Sequence, residues 1–212
     1  MQNSKTIILI QAIVFSLGLM VFSYFTQYDR PMQFIAFVAL LVSAYIISKN
    51  IRTIEDLSRI FGEKIPTRKI LILVFIGIIV GIIIAIPYRD YHHWGTFPAS
   101  VKKFAFVAAL IGGTEELVFR GFLQEFVIKI NGPFSILFST LSHTGYKCLL
   151  FLSPGIAENT PIGFLFFWTF GVGLVFGISR HYTKSLWLPI TAHIIFDVLS
   201  YAEFAQSPWW VW

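Results

Sequence analysis

The sequence predicts an all-α fold, a polytopic transmembrane helical bundle with about seven spans. The chain has 212 residues, of which 56% are hydrophobic and only 13% are charged. Its mean hydropathy is +0.74. The apolar residues form long blocks with almost no charge, and blocks of about 18 or more such residues are typical of membrane spans. We therefore expect an integral protein of a lipid bilayer, and we read the net charge of +5 as a topology signal with no nucleic-acid partner.

The apolar blocks give the order of the elements. The first block is longer than the apolar core of a signal peptide, about 7–15 residues, and we interpret it as a span. A polar segment at about 50–68 predicts an amphipathic helix on the cytoplasmic surface. We expect one integrated membrane domain, in which residues 1–98 supply the N-terminal spans and residues 99–212 the helical core with the candidate site. The blocks are 6–25, 33–49, 69–88, 100–130, 133–152, 161–180 and 185–205.

The basic residues predict the orientation of these spans. With seven spans and a cytoplasmic N-terminus, most Lys and Arg residues of the loops fall inside, as the positive-inside rule requires. We expect a multi-pass protein of a prokaryotic plasma membrane, with Trp94 and the closing PWWVW as interfacial anchors outside. The inside group is Lys5, Lys49, Arg52, Arg59, Lys64, Arg68, Lys69, Lys129, Arg180 and Lys184, and the outside group is Arg30, Arg89, Lys102 and Lys103.

The fourth block leaves the number of spans open. One helix over residues 100–130 would be ~45 Å long, which exceeds a hydrocarbon core of ~30 Å unless the helix is tilted or broken. The pair Gly112-Gly113 is the expected place for a kink. If the helix reverses at this pair, the chain has eight spans and its C-terminus lies inside.

Three charged residues interrupt this fourth block. Glu115, Glu116 and Arg120 lie in an apolar run, where a charged side chain costs ~2.5–3.5 kcal/mol at a helix centre. Glu116 and Arg120 are four residues apart and can pair on one helix face. Glu115 points about 100° away from Glu116, so a structural ion pair leaves it unexplained.

More polar residues lie at similar depth on later blocks. His143 is in the middle of the fifth block, and His193 is in the seventh, with Asp197 one turn later on the same face. Ionisable residues inside a membrane are functional candidates, and convergent titratable groups indicate a catalytic site. Lys147, one turn beyond His143, can pair with a carboxylate or extend toward the interface, and we favour a structural role for it. Two GxxxG pairs, Gly77 with Gly81 and Gly173 with Gly177, predict close helix packing.

These motifs resemble those of the CAAX prenyl endopeptidase and bacteriocin-processing (CPBP, or Abi) family of intramembrane proteases. EELVFR, residues 115–120, matches the family motif EExxxR, and His193 with Asp197 matches HxxxN or HxxxD. The sequence departs from the family pattern at two positions. The family motif FxxxH is not strictly met, because Phe138 stands five rather than four residues before His143. Asp197 stands where the prenyl endopeptidases carry asparagine.

The resemblance implies an intramembrane glutamate-type endopeptidase that needs no cofactor. It makes Glu115 the general base, makes His143 its helper in activating water, and assigns His193 to the oxyanion. An ionised aspartate accepts hydrogen bonds but donates none, so we expect Asp197 to orient His193. We expect Arg120, balanced by Glu116, to be the cation that keeps Glu115 ionised. The implied substrate is a prenylated CAAX protein, a leader-bearing peptide or a membrane-protein segment.

Two other hypotheses remain open. Glu115, His143 and His193 could supply three ligands to a catalytic zinc with one open position, although the HExxH pattern is absent from the sequence. Alternatively, the chain could be a non-catalytic scaffold, immunity factor or regulator of a membrane protein partner.

Overall fold

Every regular element in the described part of the chain is helical. The computed structural model describes residues 2–62, 65–153 and 161–204. Lys64 and the closing PWWVW, both used in the orientation argument, lie outside these residues. The elements are α1 (Gln2–Phe25), α2 (Gln33–Asn50), α3 (Ile54–Phe61), α4 (Thr67–Tyr91), α5 (Lys103–Glu116), a π-helical segment (Leu117–Leu123), α6 (Gln124–Val127), α7 (Gly132–Leu152), α8 (Ile162–Thr183) and α9 (Trp187–Tyr201).

The described helices form the predicted membrane bundle, and contacts at its two ends give the relative direction of α1 and α7. We call the end where α1 begins the lower end and the end where α1 finishes the upper end. At the lower end, Lys5 Nζ donates to the carbonyl of Ile130, which precedes α7 (3.4 Å). At the upper end, Ser153, which follows α7, donates to the carbonyl of Tyr24 in α1 (2.6 Å). Helices α1 and α7 therefore lie side by side and run in the same direction.

Four helices of the described chain are long and apolar enough to cross a membrane, namely α1 from Lys5 onward, α2, α4 and α8. Helices α5, α7 and α9 do not meet this criterion, each for an identifiable reason. Helices α5 and α9 have 14 and 15 residues, and α7 carries many hydroxyl side chains on its buried face. The polar side chains of the candidate site are thus concentrated on the less apolar helices.

The fourth block does not reverse at Gly112-Gly113, so the eight-span alternative is wrong. Helix α5 passes through both glycines and continues without a break into the π-helical segment and α6. This rod is about 37 Å long at 1.5 Å per residue, which a tilted helix can accommodate. Its irregularity lies at Leu117–Leu123 instead. π-Helical turns are frequent at functional sites, and this one holds Arg120.

Close packing at the first GxxxG pair confirms the role predicted for it. Gly77 and Gly81 are buried on α4 against α9. A Cβ atom on Gly77 would lie 2.8 Å from the carbonyl oxygen of Leu188, and one on Gly81 would lie 2.8 Å from Cβ of Ile195. Larger side chains would therefore push apart α4 and the helix that carries His193.

The surface helix predicted in the polar segment is α3. Thr53 and Asp56 form a capping box at its N-terminus, and the backbone N–H of Arg52 lowers the pKa of Asp56. Ile60 is buried, whereas Ile54 is 82% exposed. An exposed apolar residue of this kind is typical of a helix at a membrane surface.

Arg89 fixes the upper end of the bundle. Its buried guanidinium donates to the carbonyls of Gly95 (2.9 Å), Trp94 (2.6 Å) and Leu199 (2.7 Å) and to Glu203 (2.9 Å). This clamp joins the loop after α4 to the end of α9. It accounts for one of the arginines that the sequence places outside, and it holds α9 in register with α4.

Candidate active site

The charged motif lies at the junction of α5 and the π-helical segment. Glu116 and Arg120 are completely buried, and Arg120 Nη1 lies 3.3 Å from Glu116 Oε1. This confirms the predicted pair on one helix face. Glu115 is 5% exposed and points to a different set of partners, as its position one residue earlier on the helix predicts.

His143 on α7 joins this motif through both ring nitrogens. Its Nδ1 lies 2.6 Å from Arg120 Nη1, and its Nε2 lies 3.1 Å from Glu115 Oε2. A guanidinium only donates hydrogen bonds, so Nδ1 must be the acceptor and the ring proton must be on Nε2. Arg120 therefore fixes a neutral tautomer whose N–H points at the Glu115 carboxylate.

His193 on α9 contacts both glutamates. Its Nδ1 lies 2.9 Å from Glu116 Oε1, while its Nε2 lies 3.8 Å from Glu115 Oε2 and 3.7 Å from Asp197 Oδ2. The Nδ1–H donates to Glu116, because a carboxylate accepts. An unprotonated Nε2 would then point its lone pair at two carboxylates, so the arrangement fits an imidazolium that donates from Nδ1 to Glu116 and directs the Nε2–H toward Glu115 and Asp197.

Lys147 is the main cation beside Glu115, where its position in the sequence favoured a structural role. Lys147 Nζ lies 2.6 Å from Glu115 Oε1. Arg120, which we expected in this role, instead bonds to Glu116 and His143. The signal was present in the sequence, because Lys147 is four residues after His143 and shares its helix face.

Neighbouring helices hold Arg120 and His143 in place. Arg120 Nη2 donates to the carbonyl of Gly173 (3.2 Å), and a Cβ atom at that glycine would lie 2.8 Å from Nη2. Gly173 thus lets α8 approach the arginine. The ring of Phe119 stacks on His143 at 4.6 Å between centroids. Phe138, the aromatic residue nearest the FxxxH position, packs instead against the core around α1.

Two spaces meet at this cluster. One is a cavity of about 50 Å³ between α4, α7, α8 and α9, large enough for a few water molecules. Its polar lining comprises Arg120, His143, Lys147, Thr169, His193 and Asp197. The other is an apolar groove of about 350 Å³ between the α1–α2 pair and α5, and Glu115 is its charged residue. Glu115 lines the groove, and three of the residues that it contacts, His143, Lys147 and His193, line the cavity.

The described residues contain no group of three or more His, Cys, Asp or Glu side chains arranged to hold a metal ion. Glu115, His143 and His193 are close together, but each is already in contact with an oppositely charged or hydrogen-bonding protein group. His143 directs a proton, not a lone pair, toward Glu115. The arrangement suits proton transfer better than metal ligation.

Comparison with known proteins matches the part of the chain that holds this cluster. Residues 97–199 match the family model described as type II CAAX prenyl endopeptidase Rce1-like. The match supports the assignment of this part of the chain to that family. No curated protein and no solved structure matches the chain.

The family region runs from just before α5 to the last turns of α9. It contains every residue of the cluster, from Glu115 to Asp197. Membership in the family indicates a membrane endopeptidase of the CAAX type, whose substrate is a peptide or protein in the membrane. Helices α1 to α4 lie outside the matched range and contribute the groove and the support of α9.

Proposed function

We propose that the protein is an intramembrane glutamate-type endopeptidase in which Glu115 activates water. The observation that carries this proposal is the convergence of Glu115 with His143 at 3.1 Å and with His193 at 3.8 Å inside the bundle. Three separate helices supply these side chains. Convergent acid–base groups beside a water-sized cavity are the arrangement that peptide hydrolysis requires.

In the proposed reaction, Glu115 removes a proton from a water molecule, and the water oxygen attacks the carbonyl carbon of the substrate. The electron pair of the C=O bond moves to oxygen and forms an oxyanion, which His193 stabilises by donating from Nε2. The electron pair of the oxyanion then re-forms the C=O bond, the C–N bond breaks with its electron pair on nitrogen, and Glu115 returns the proton to the amine. His143 keeps the carboxylate oriented, and Asp197 orients His193.

The apolar groove supports a substrate that reaches Glu115 from within the bilayer. The groove is lined almost entirely by aliphatic and aromatic residues of α1, α2, α5 and the π-helical segment. A membrane-protein segment or a lipid-modified peptide has an apolar surface that fits this lining. We propose the plasma membrane of a prokaryotic cell as the location, with the lower end cytoplasmic, because the lower end carries most of the basic loop residues.

The zinc mechanism and the non-catalytic scaffold remain competing hypotheses, and one variant separates the scaffold from the enzyme. Glu115→Gln keeps the size of the side chain but removes the base. We expect cleavage to be lost while the protein level and melting temperature stay near those of the wild type. Glu125→Gln is the matched control, because Glu125 pairs with Arg180 at the lower end, away from the cluster.

Two measurements compare Glu115→Gln with the Glu125→Gln control. The first is quantitative proteomics of membrane fractions from cells that contain the wild type, Glu115→Gln or Glu125→Gln, to find peptides that depend on Glu115. The second is hydrolysis of a fluorescence-quenched farnesylated CAAX peptide, and of quenched peptides found by the first measurement, by protein in liposomes. Full activity of Glu115→Gln in both measurements would exclude the proposed function.

A further inference from the structure

We propose that Lys147 is a further catalytic residue, which stabilises first the ionised base and then the oxyanion. This inference rests on the proposed function. Lys147 is on α7, and its Nζ lies 2.6 Å from Glu115 Oε1. The same side chain also lines the cavity of about 50 Å³ together with His193 and Asp197. It is therefore the cation that touches both the base and the space in which the substrate carbonyl would be attacked.

The charges of the cluster show why this lysine is needed. Glu115, Glu116 and Asp197 are three buried carboxylates. Arg120, Lys147 and the imidazolium of His193 are the cations that face them, at the distances given above. Isolated buried charges are very costly, so the cluster is stable only when these charges balance. Without Lys147, the cluster would carry one unbalanced negative charge, next to the position where the reaction creates another.

The reaction moves one negative charge across a short distance. When Glu115 takes the proton of the water molecule, its carboxylate becomes neutral, and the negative charge appears on the substrate oxygen. Lys147 then loses its ionic partner at the moment when a new anion forms beside it. An ammonium group has three donors on a flexible stem, so it can keep contact with Glu115 Oε1 and direct another N–H into the cavity.

The other polar groups of the cavity are less suited to this second contact. Arg120 already uses Nη1 for His143 and Glu116 and Nη2 for the Gly173 carbonyl. Ionised Asp197 accepts hydrogen bonds and would repel an oxyanion. Lys147, with 20% of its side chain exposed, keeps access to the cavity. The oxyanion is thus held by Lys147 together with His193.

The test compares Lys147→Met with Lys129→Met. Both changes remove one ammonium group, but Lys129 lies at the lower end, where its Nζ is 5.3 Å from the ring centroid of Phe126. With a quenched peptide that the wild type cleaves, we expect Lys147→Met to lower kcat about 100- to 1,000-fold, as the loss of an oxyanion donor does. We expect KM to change less than about threefold, because this contact forms mainly in the transition state.

Inhibition by a phosphinate analogue of the same peptide distinguishes catalysis from a structural role. The phosphinate carries a tetrahedral anionic group in the position of the oxyanion. We expect its Ki to rise at least about 100-fold in Lys147→Met, because the variant loses affinity for the transition-state shape. Lys129→Met should leave both kcat and Ki within about twofold of the wild type, since its site is remote from the cluster.

Each outcome has a defined meaning. Wild-type kcat and Ki in Lys147→Met would overturn the role of Lys147. If Lys147→Met fails to fold, Lys147→Gln keeps a hydrogen-bond donor beside Glu115 but removes the positive charge, and wild-type kcat and Ki in this variant would equally overturn the role of Lys147. An inactive Glu115→Gln with an active Lys147→Met would refute only this inference, whereas an active Glu115→Gln would refute the proposed function itself.

Discussion

Replacing Arg120 by lysine tests whether this arginine sets the tautomer of His143. The substitution keeps one positive charge, so Glu116 retains an ionic partner. A single ammonium group, however, lacks the planar fork that reaches His143 Nδ1 at 2.6 Å and the Gly173 carbonyl at 3.2 Å. Two charge-assisted hydrogen bonds are at stake, each contributing about 1.5–3 kcal/mol.

The expected loss of stability is therefore about 3–6 kcal/mol if no group relaxes. The loss in activity follows from the hydrogen bond between Arg120 and His143 Nδ1. Without the donor at Nδ1, the His143 proton can move to Nδ1, and Glu115 loses the N–H that orients it. Removing a tautomer preference of about 1.5–3 kcal/mol changes the ratio of the two tautomers by roughly 10- to 150-fold. Because kcat follows the fraction of His143 that is protonated at Nε2, we expect kcat to fall about twofold when the two tautomers are equally populated.

Two measurements examine this expectation. Nitrogen-15 NMR of histidine-labelled protein should show His143 protonated at Nε2 in the wild type and a mixture of tautomers in Arg120→Lys. Peptide hydrolysis should show the fall in kcat. Arg180→Lys is the matched control, because Arg180 is also buried and contacts Glu125 and the Arg59 carbonyl at the lower end. It should lower the melting temperature and leave kcat unchanged. An Nδ1-protonated His143 in the wild type would refute the reasoning.

Three more predictions concern neighbouring groups. Asp197→Asn should lower kcat about tenfold because a neutral amide orients His193 less well than a carboxylate 3.7 Å away; a rise in kcat would favour a direct donor at this position. Gly173→Ala should destabilise the protein by about 1–3 kcal/mol, measured by thermal unfolding, because a Cβ atom crowds Arg120 and Thr140. Dialysis against a strong chelator should leave peptide hydrolysis unchanged, and activity lost to the chelator and restored by Zn²⁺ would support the zinc mechanism.

Sequence reasoning found most of the site because charge in an apolar span is conspicuous. Glu115, Glu116 and Arg120 stand out in the fourth block, and the i, i+4 spacing alone predicts the Glu116–Arg120 pair that the structure contains. The spacing of His193 and Asp197 likewise predicts their contact. Such statements need only helix geometry within one element, which is why one sequence suffices for them.

Contacts between side chains on different helices could not be predicted in the same way. Nothing in the sequence says that Glu115 contacts Lys147 while Glu116 contacts His193, because that division depends on the rotation of α7 and α9 around α5. The π-helical segment adds to this rotation, and no local pattern marked its position. The helix continues through Gly112-Gly113, where Gly112 permits close packing beside His193 and Asp197 of α9, and the irregular segment lies further on at Leu117–Leu123.

Hydropathy and helical periodicity are local properties, so the amino-acid sequence was enough to predict a bundle of membrane helices with a few ionisable groups inside it. The pairing of each cation with its carboxylate, the protonated nitrogen of His143 and the position of the small cavity became visible only in the folded bundle. These features depend on how separate helices rotate against one another, and that rotation is set by side-chain packing across the whole bundle.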